Sequence, residues 1–264
     1  MKRSCCCLLL CFLIVFQNSQ AQEKSRVLFT TGWKFKLDSV QSYAQPNVQD
    51  ASWRTLNLPH DWSIEGSFSE SNPATPSGGA LPGGIGWYRK TFSIPHSAKG
   101  KTILIEFDGV YRNSDVWING HELGVRPNGY ISFQYDLTPY LNYGNARNVI
   151  AVKVDNSDQP NSRWYSGSGI YRNVWLTTID KLHVDHWGTY ITTPKVSTSS
   201  ATVQVQTDVR NGYATKRAFT LTTTIYDADE KKGYNQRCAG KCCPGYVWNA
   251  RSIVQHRASC IMVG

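Results

Sequence analysis

Residues 114–123 read SDVWINGHEL, in which an Asn-Gly pair separates two short β-rich runs. Both residues of the pair accept a positive φ at low cost, so Asn119-Gly120 predicts the two-residue turn of a β-hairpin. Neither run has the 3.6-residue period of an amphipathic helix. This stretch therefore predicts two antiparallel strands.

Similar short runs, separated by clusters of Gly, Pro, Asn and Asp, continue on both sides of this hairpin. The predicted strands are Val27–Phe29, Trp33–Leu37, Trp87–Ile94, Thr102–Phe107, Ser114–Ile118, Ile131–Tyr135, Asn148–Val154 and Val174–Thr178. No long segment has a helical period. Many short strands with frequent turns are typical of a β-sandwich, and the expected form for residues 25–180 is a jelly roll.

A second set of strands is predicted after Asp180. Its members are Leu182–Thr193, Ala201–Arg210 and Phe219–Asp227. Val203, Val205 and Val209 alternate with polar residues, which is the period-2 pattern of a half-exposed strand. Three strands are fewer than the roughly seven of an immunoglobulin-like sandwich, so residues 182–229 are expected to form an incomplete one. The predicted fold class is all-β: a jelly-roll β-sandwich followed by an incomplete immunoglobulin-like sandwich.

The first 21 residues predict an export signal. Two basic residues at the start precede an apolar run over residues 8–16, and small residues stand before Gln22, where cleavage is expected. The alternative of a membrane anchor is disfavoured because the run is shorter than the roughly 20 residues that span a bilayer. The large Leu10 before Cys11 disfavours a lipoprotein signal. The mature protein is therefore expected to be secreted or periplasmic, without a membrane partner.

The last residues, 230–264, differ from the rest in composition. From Lys231 onward there are six basic residues and no acidic one, and neither strand alternation nor a helical period is visible. An irregular, aberrant terminus is expected, with a natural basic tail as the alternative. Most of the net charge of +9 comes from these residues and the signal, which leaves about +1 for residues 22–230. A nearly neutral body argues against a nucleic-acid partner.

The eight cysteines lie only at the two ends of the chain. Four belong to the predicted signal, and the other four are Cys238, Cys242, Cys243 and Cys260. Because no cysteine lies between Gln22 and Arg237, no disulfide framework is expected in the sandwiches. The spacing of the C-terminal four fits no paired C-x-x-C zinc scheme, so no metal site is predicted.

Several common catalytic motifs are incomplete in this sequence. The glycines at residues 78–84 lack the Lys-Ser/Thr pair and helix of a phosphate loop. Gly167-Ser168-Gly169 lacks the full G-x-S-x-G elbow. His60 and Asp61 are neighbours on an extended chain, so their side chains are expected to point to opposite faces and not to form a dyad. No catalytic residue and no cofactor are predicted.

Residues 161–165 are the candidate substrate-binding segment, through Asn161, Arg163, Trp164 and Tyr165. They follow a polar loop and precede the Gly-rich turn at residues 166–169. Aromatic rings stack on the apolar face of a sugar, and a guanidinium donates hydrogen bonds to its hydroxyls. In the structural alternative, Trp164 covers the edge of the sandwich and Arg163 pairs with an acid.

A series of short motifs runs along residues 26–180. In order they are GWKF (32–35), WRTLNLPHDW (53–62), GWYRKTF (86–92), FDGV (107–110), VWING (116–120), GY (129–130), DLT (136–138), NVIAV (148–152) and RWYSGSGIYRNV (163–174). Each motif is weak evidence alone, but their number and order are specific. Together they resemble the start of the family 2 glycoside hydrolases, and within that family the bacterial β-galactosidases.

The resemblance implies a sugar-binding jelly roll whose loops reach toward an active site in a downstream barrel. It places Gly83–Trp87 and Asn161–Tyr165 nearest that site. Some β-galactosidases of the family carry an acid just ahead of the Trp of the second segment, where it helps to bind sodium and sugar. Residues 161–163 contain no carboxylate, so a sodium site is not carried over.

The resemblance also implies where catalysis takes place. Retaining glycosidases need two carboxyl groups about 5–5.5 Å apart, and this family takes them from a downstream (β/α)₈ barrel of typically about 250 residues. That length is not available after Asp229. We therefore expect a non-catalytic N-terminal portion of a secreted glycosidase acting on β-galactosides or related β-glycosides, with a carbohydrate and the missing barrel as partners. The alternatives are a free-standing carbohydrate-binding module and a structural adhesion fragment.

Overall fold

The computed structural model describes residues 24–162, 164–198, 200–227, 232–242, 247–257 and 261–262. Regular structure in these ranges consists of β-strands and short 3₁₀ turns, so the all-β prediction is confirmed. The 3₁₀ turns are Gln41–Ala44, Ser63–Glu65, Pro76–Gly78, His96–Ala98 and Thr138–Tyr140. The predicted signal, residues 1–21, lies outside the described residues. No helix in the described ranges is long and apolar enough to cross a bilayer.

Two antiparallel sheets form the first sandwich. Its strands are β1 (Ser25–Leu28), β2 (Trp33–Leu37), β3 (Arg54–Leu56), β4 (Gly84–Ser93), β5 (Thr102–Phe107), β6 (Ser114–Ile118), β7 (His121–Arg126), β8 (Phe133–Asp136), β9 (Arg147–Asn156) and β10 (Val174–Ile179). One sheet has the order β1-β10-β5-β8, and the other has the order β3-β2-β4-β9-β6-β7. The non-sequential order of neighbours is that of a jelly-roll sandwich rather than a simple meander.

The predicted hairpin joins β6 and β7. Asn119 and Gly120 have φ values of 50° and 83°, the left-handed region that this turn requires. Ile118 pairs directly with His121 across the turn. The hairpin prediction is confirmed.

The main core lies between the two sheets. Ile105 and Phe107 of β5 are fully buried, and the Phe107 ring stacks on Phe133 of β8 at 5.1 Å between centroids. On the facing sheet, Trp33 is fully buried and its Nε1 donates a hydrogen bond to the carbonyl of Phe29 at 2.8 Å. Full burial of an apolar side chain stabilises a fold by about 1.5–3 kcal/mol. These two sheets therefore provide a rigid base for their connecting loops.

A buried arginine holds the connection between β2 and β3 against the outer face of the larger sheet. Arg89 of β4 is only 1% exposed. Its Nε donates to Oδ2 of Asp50 at 2.9 Å, and its Nη1 donates to the carbonyls of Tyr43 and Gln45 at 2.5 and 2.9 Å. The charge is thus compensated by an acid and by backbone acceptors, as burial of a guanidinium requires.

Six further strands follow the first sandwich. They are β11 (Leu182–Val196), β12 (Ser200–Asn211), β13 (Arg217–Asp227), β14 (Lys232–Cys242), β15 (Val247–Arg257) and β16 (Ile261–Met262). They form two sheets, β11-β12-β15 and β14-β13-β16. Val203 and Val205 of one sheet pack against Ile225 of the other. The six strands seen in the described residues are one fewer than the roughly seven of an immunoglobulin-like sandwich, and the sixth has two residues.

In the parts of residues 230–264 that the structure describes, strands stand where an irregular segment was expected. Strands occupy Lys232–Cys242 and Val247–Arg257, and β15 pairs with β12 without interruption from Ser200↔Arg257 to Arg210↔Val247. The prediction failed because it required side-chain alternation. A strand can also form by completing the backbone hydrogen bonds of an existing edge, which demands no particular side-chain pattern.

Candidate binding loop and family membership

The candidate segment lies in the loop between β9 and β10, whose second half is anchored in the fold. Ser168, Gly169 and Ile170 are buried. The backbone N–H of His60 donates to the carbonyl of Ile170 at 2.9 Å, while Gly169 and Tyr111 exchange both backbone hydrogen bonds at 2.9 Å. Residues 168–170 are therefore fixed to the sandwich, and the loop residues just before them are held close to it.

Two glycines allow this close packing. Gly169 has a φ of +132°, and a Cβ there would meet the backbone oxygen of His60 at 2.6 Å. A Cβ on Gly167 would collide with the carboxylate of Asp61. The Gly-Ser-Gly turn is thus required because neighbouring groups occupy the space of a side chain.

Asn161 holds the first half of the loop. Its Oδ1 accepts a hydrogen bond from the hydroxyl of Tyr111 at 3.1 Å. Its Nδ2 donates to Oδ1 of Asn156 at 2.8 Å and to the carbonyl of Asp158 at 3.0 Å. Both amide hydrogens are used within the chain, so one lone pair of Oδ1 is the polar capacity that remains for a ligand.

Trp164 presents its ring to solvent. Its side chain is 62% exposed, and its Nε1 lies 3.5 Å from the hydroxyl of Tyr130, which is 59% exposed. Tyr130 rests edge-on against the buried Tyr111, with 5.4 Å between ring centroids. Two neighbouring exposed rings on a buried aromatic base can stack against the apolar face of a sugar.

Tyr165, next to Trp164 in the chain, is 44% exposed. Its hydroxyl donates a short hydrogen bond to Oδ2 of Asp61, and its ring lies against Gly79. Burial, together with the hydrogen bond to the Asp61 carboxylate, raises the pKa of Tyr165 far above its ordinary value. The phenol therefore remains a neutral hydrogen-bond donor throughout the neutral pH range.

The sequence also placed Arg163, Gly83 and Trp87 near the site. Arg163 lies outside the described residues. Gly83 packs directly against the carbonyl of Asn156, beside the binding loop. Trp87 does not reach the loop: it is fully buried on the outer face of the sheet and stacks on Trp117 at 5.3 Å.

Tyr111, Tyr130 and Asp61 are parts of this site that the sequence did not predict. Tyr130 belongs to the GY motif, but nothing in its sequence context indicates that it lies beside Trp164. For Asp61 the sequence suggested only His60 as a partner. The two side chains have different hydrogen-bond partners: His60 Nδ1 lies 2.7 Å from the hydroxyl of Tyr88, whereas Asp61 Oδ1 accepts the backbone N–H of Ser168 in the binding loop.

Two of the glutamates on the sandwich are engaged in ion pairs. Glu65 accepts two hydrogen bonds from Arg54 at 2.6 and 2.8 Å. Glu106 accepts one from Arg26 at 3.1 Å. Within the described ranges, no group of three or more His, Cys, Asp or Glu side chains is placed to hold a metal ion. The loop offers a ligand the exposed ring of Trp164 for stacking and a free lone pair of Asn161 Oδ1 for hydrogen bonding.

Comparison with known proteins gives the same result as the motifs. Residues 31–180 match the family model described as glycosyl hydrolases family 2, sugar binding domain. A β-galactosidase of Bacteroides ovatus, BoGH2A, is 51% identical over 224 residues, which cover 85% of this chain and 26% of that protein. A putative β-glucuronidase of Formosa agariphila is 40% identical, over 80% of this chain and 20% of that protein. The chain thus spans about a quarter of the length of these curated relatives, or less.

Solved structures agree with this assignment. The crystal structure of a family 2 glycosyl hydrolase member from Bacteroides cellulosilyticus superposes with a TM-score of 0.83 and 33% identity, over 88% of this chain and 31% of that chain. Because the family model also matches more than half of the sequence, this chain belongs to glycoside hydrolase family 2, with its sugar binding domain at residues 31–180.

Proposed function

We propose that this chain is the non-catalytic N-terminal portion of a secreted or periplasmic glycoside hydrolase, and that its loop at residues 161–166 contacts the carbohydrate. The observation that carries the proposal is the exposed Trp164 ring, held beside a buried anchor. The whole protein is proposed to hydrolyse β-galactosides or related β-glycosides. The 51% identity to a relative named as a β-galactosidase supports the first class. Relatives named as β-glucuronidases support the wider class of β-glycosides.

Catalysis is assigned to a part of the whole protein beyond the described sandwiches. A retaining mechanism needs two carboxyl groups about 5–5.5 Å apart, facing one sugar. Among the described residues, the carboxylate that contacts the binding loop is that of Asp61, and both of its oxygens are occupied by protein donors. The described part of the loop can therefore bind and orient a sugar, but it offers no pair of acids for chemistry.

The affinity of this portion alone is expected to be weak. One exposed indole, one exposed phenol and a few polar groups contact a single side of a sugar ring, whereas a complete site encloses the ligand. A dissociation constant of about 1 mM or higher corresponds to roughly 4 kcal/mol or less of binding free energy. Such a contribution is useful when a barrel wall supplies the remaining contacts.

NMR titration of the ¹⁵N-labelled chain with methyl β-D-galactopyranoside tests the proposal. The indole N–H of Trp164 and the amide of Ser168 should shift with ligand concentration. Trp164→Ala should abolish the Ser168 response. Trp187→Ala is the matched control, because Trp187 is also an exposed tryptophan but lies in β11.

Three results would change the proposal. Shifts confined to residues outside the loop would contradict the assigned site. A stronger response to methyl β-D-glucuronide would move the substrate class toward the β-glucuronides. A dissociation constant below about 0.1 mM, or roughly 5.5 kcal/mol, would support a free-standing binding module, because the isolated chain would then need no further wall.

A further inference from the structure

We propose that Asp61 is a positioning residue. It fixes the direction of the Trp164 ring by holding Tyr165 and Ser168, two residues that follow Trp164 in the binding loop. The inference rests on the proposed carbohydrate contact of Trp164. It assigns the control of that contact to a side chain from a distant part of the chain, after β3.

Both carboxylate oxygens of Asp61 are used in this role. Oδ1 accepts the backbone N–H of Ser63 at 2.9 Å and that of Ser168 at 2.8 Å. Oδ2 accepts the hydroxyl of Tyr165. Hydrogen bonds to an ionised acceptor are roughly twice as strong as neutral ones. One carboxylate therefore ties the binding loop to the segment that follows β3.

Packing restricts the same contact from a second side. Gly167 lies against the Asp61 carboxylate, and a Cβ there would also meet the Tyr165 hydroxyl at 3.2 Å. The carboxylate, the phenol and the Gly167 backbone thus fill one small volume. A shift of Asp61 must displace either the Tyr165 ring or the backbone next to it.

Trp164 has few means of fixing itself. Its ring is exposed, and its one described side-chain hydrogen bond is the long 3.5 Å contact to Tyr130. Its backbone carbonyl accepts a hydrogen bond from the hydroxyl of Ser162 at 2.7 Å. Because the next residue, Tyr165, is locked by Asp61, the backbone direction at Trp164 follows from that lock. Asn161 fixes the other end of the segment independently.

Asp61 and Tyr165 variants test the inference in the full chain. Asp61→Ala removes all three hydrogen bonds, whereas Tyr165→Phe removes only the one to the phenol and leaves the bonds to Ser63 and Ser168 in place. Asp136→Ala is the matched control, because Oδ1 of Asp136 accepts the backbone N–H of Thr138 at 2.9 Å in the same kind of turn, away from the loop.

Two readouts separate positioning from general destabilisation. The first is the heteronuclear NOE of the Trp164 indole N–H, which should fall in Tyr165→Phe and Asp61→Ala and stay unchanged in Asp136→Ala. The second is the dissociation constant for methyl β-D-galactopyranoside, which should rise about fivefold when a binding side chain must be ordered on association. Thermal melting should show that Tyr165→Phe remains folded.

The outcomes distinguish this inference from the proposed function. If Trp164→Ala weakens sugar binding while Tyr165→Phe changes neither the NOE nor the dissociation constant, the positioning role is overturned and the sugar contact stands. If the native chain shows no sugar response at the loop, the proposed function fails. The NOE of Tyr165→Phe then decides the positioning role alone: a fall supports it, and an unchanged value overturns it. Should Asp61→Ala not fold, Tyr165→Phe carries the same decision.

Discussion

The indole Nε1 of Trp164 lies 3.5 Å from the hydroxyl of Tyr130, so two loops present their exposed rings side by side. Tyr130 in turn stands edge-on against the buried Tyr111. Exposed rings supported in this way lose little conformational freedom when a ligand stacks on them. The two rings therefore form a preformed surface for ligand stacking. Their contribution to binding can be measured separately from the contribution of a core residue to stability.

Trp164→Ala should weaken carbohydrate binding and leave stability nearly unchanged. Because the ring is largely exposed, its removal should cost less than about 0.5 kcal/mol of unfolding free energy. Removal of a core residue is the contrast: Trp33→Ala should cost about 3–5 kcal/mol. Urea denaturation of both variants measures the difference. A loss of 3 kcal/mol or more in Trp164→Ala, with normal ligand response in the folded fraction, would end the binding-site interpretation.

Arg89→Met should be strongly destabilising. The variant leaves the Asp50 carboxylate and the carbonyls of Tyr43 and Gln45 without their donor, and removal of one partner from a buried ion pair costs about 3–5 kcal/mol. Arg54→Met is the matched control, because Arg54 also pairs with an acid, Glu65, but this pair is solvent-exposed. Exposed pairs contribute about 0–1 kcal/mol. Equal losses in the two variants by urea denaturation would show that the burial of Arg89 has no special role.

The separation of contacting residues along the chain explains which contacts could be predicted from the sequence. The hairpin at Asn119-Gly120 was predictable because its turn chemistry and its strands are adjacent in the chain. Asp61 was not, because its bonds to Tyr165 and Ser168 join residues 104 and 107 positions apart. The candidate loop was found through Trp164, whose neighbours in the sequence suit sugar binding. The position of Tyr130 beside Trp164 was not predictable, because it depends on how two loops meet on the folded sandwich.

The strand β15 illustrates a different limit. Its residues gave no alternation that was recognised as a strand, yet its backbone completes the free edge of β12 over its whole length. Local propensity describes how a segment behaves alone, whereas pairing depends on which edge is available. Strands such as β5 were predicted because half of their side chains face a large core. A strand held mainly by its backbone leaves a much weaker trace in the sequence.

The stability of the first sandwich should fall as the pH decreases from 7 to 5. Burial lowers the pKa of His60, an effect that the nearby Glu65 partly opposes. In the unfolded chain an ordinary His takes up its proton near pH 6.5. Below that pH the unfolded state binds more protons than the folded state, so the free energy of unfolding decreases.

His60→Gln should flatten this pH dependence, whatever its effect on stability at pH 7. The measurement is the slope of unfolding free energy against pH between 5 and 7. His96→Gln is the control, since His96 is exposed in a turn on the surface. An unchanged slope in His60→Gln would assign the pH dependence to other groups.

The purified chain should not hydrolyse a chromogenic β-galactoside. Glu65 and Glu106 are held by Arg54 and Arg26, and Asp61, whose carboxylate contacts the binding loop, is occupied by protein donors. Any turnover should disappear on repurification and should be the same in Glu65→Gln and in the native chain. Activity that persists through repurification and is lost on changing a single acid of this chain would contradict the prediction.

The two sandwiches should differ in local stability. The core of the first includes fully buried residues from both of its sheets, among them Trp33 and Phe107. In the described part of the second, the buried apolar cluster consists of Val203, Val205 and Ile225. Local opening is easiest where few apolar contacts are lost. Regions with a small core and an exposed edge should therefore exchange their amide hydrogens without global unfolding.

The strand β11 should show this difference most clearly, because among the described strands it pairs with β12 alone and leaves Tyr190 and Val196 exposed. Native-state hydrogen exchange followed by NMR should find its amides at least roughly tenfold less protected than those of β5 and β9, which are paired on both sides. Within the second sandwich, the central β12 should be more protected than β11, since β15 covers its other edge. Low concentrations of urea should leave the exchange of β11 unchanged while accelerating that of β9, because a small local opening exposes little surface. Equal protection of β11 and β9, with equal urea dependence, would mean that both sandwiches unfold as one cooperative unit.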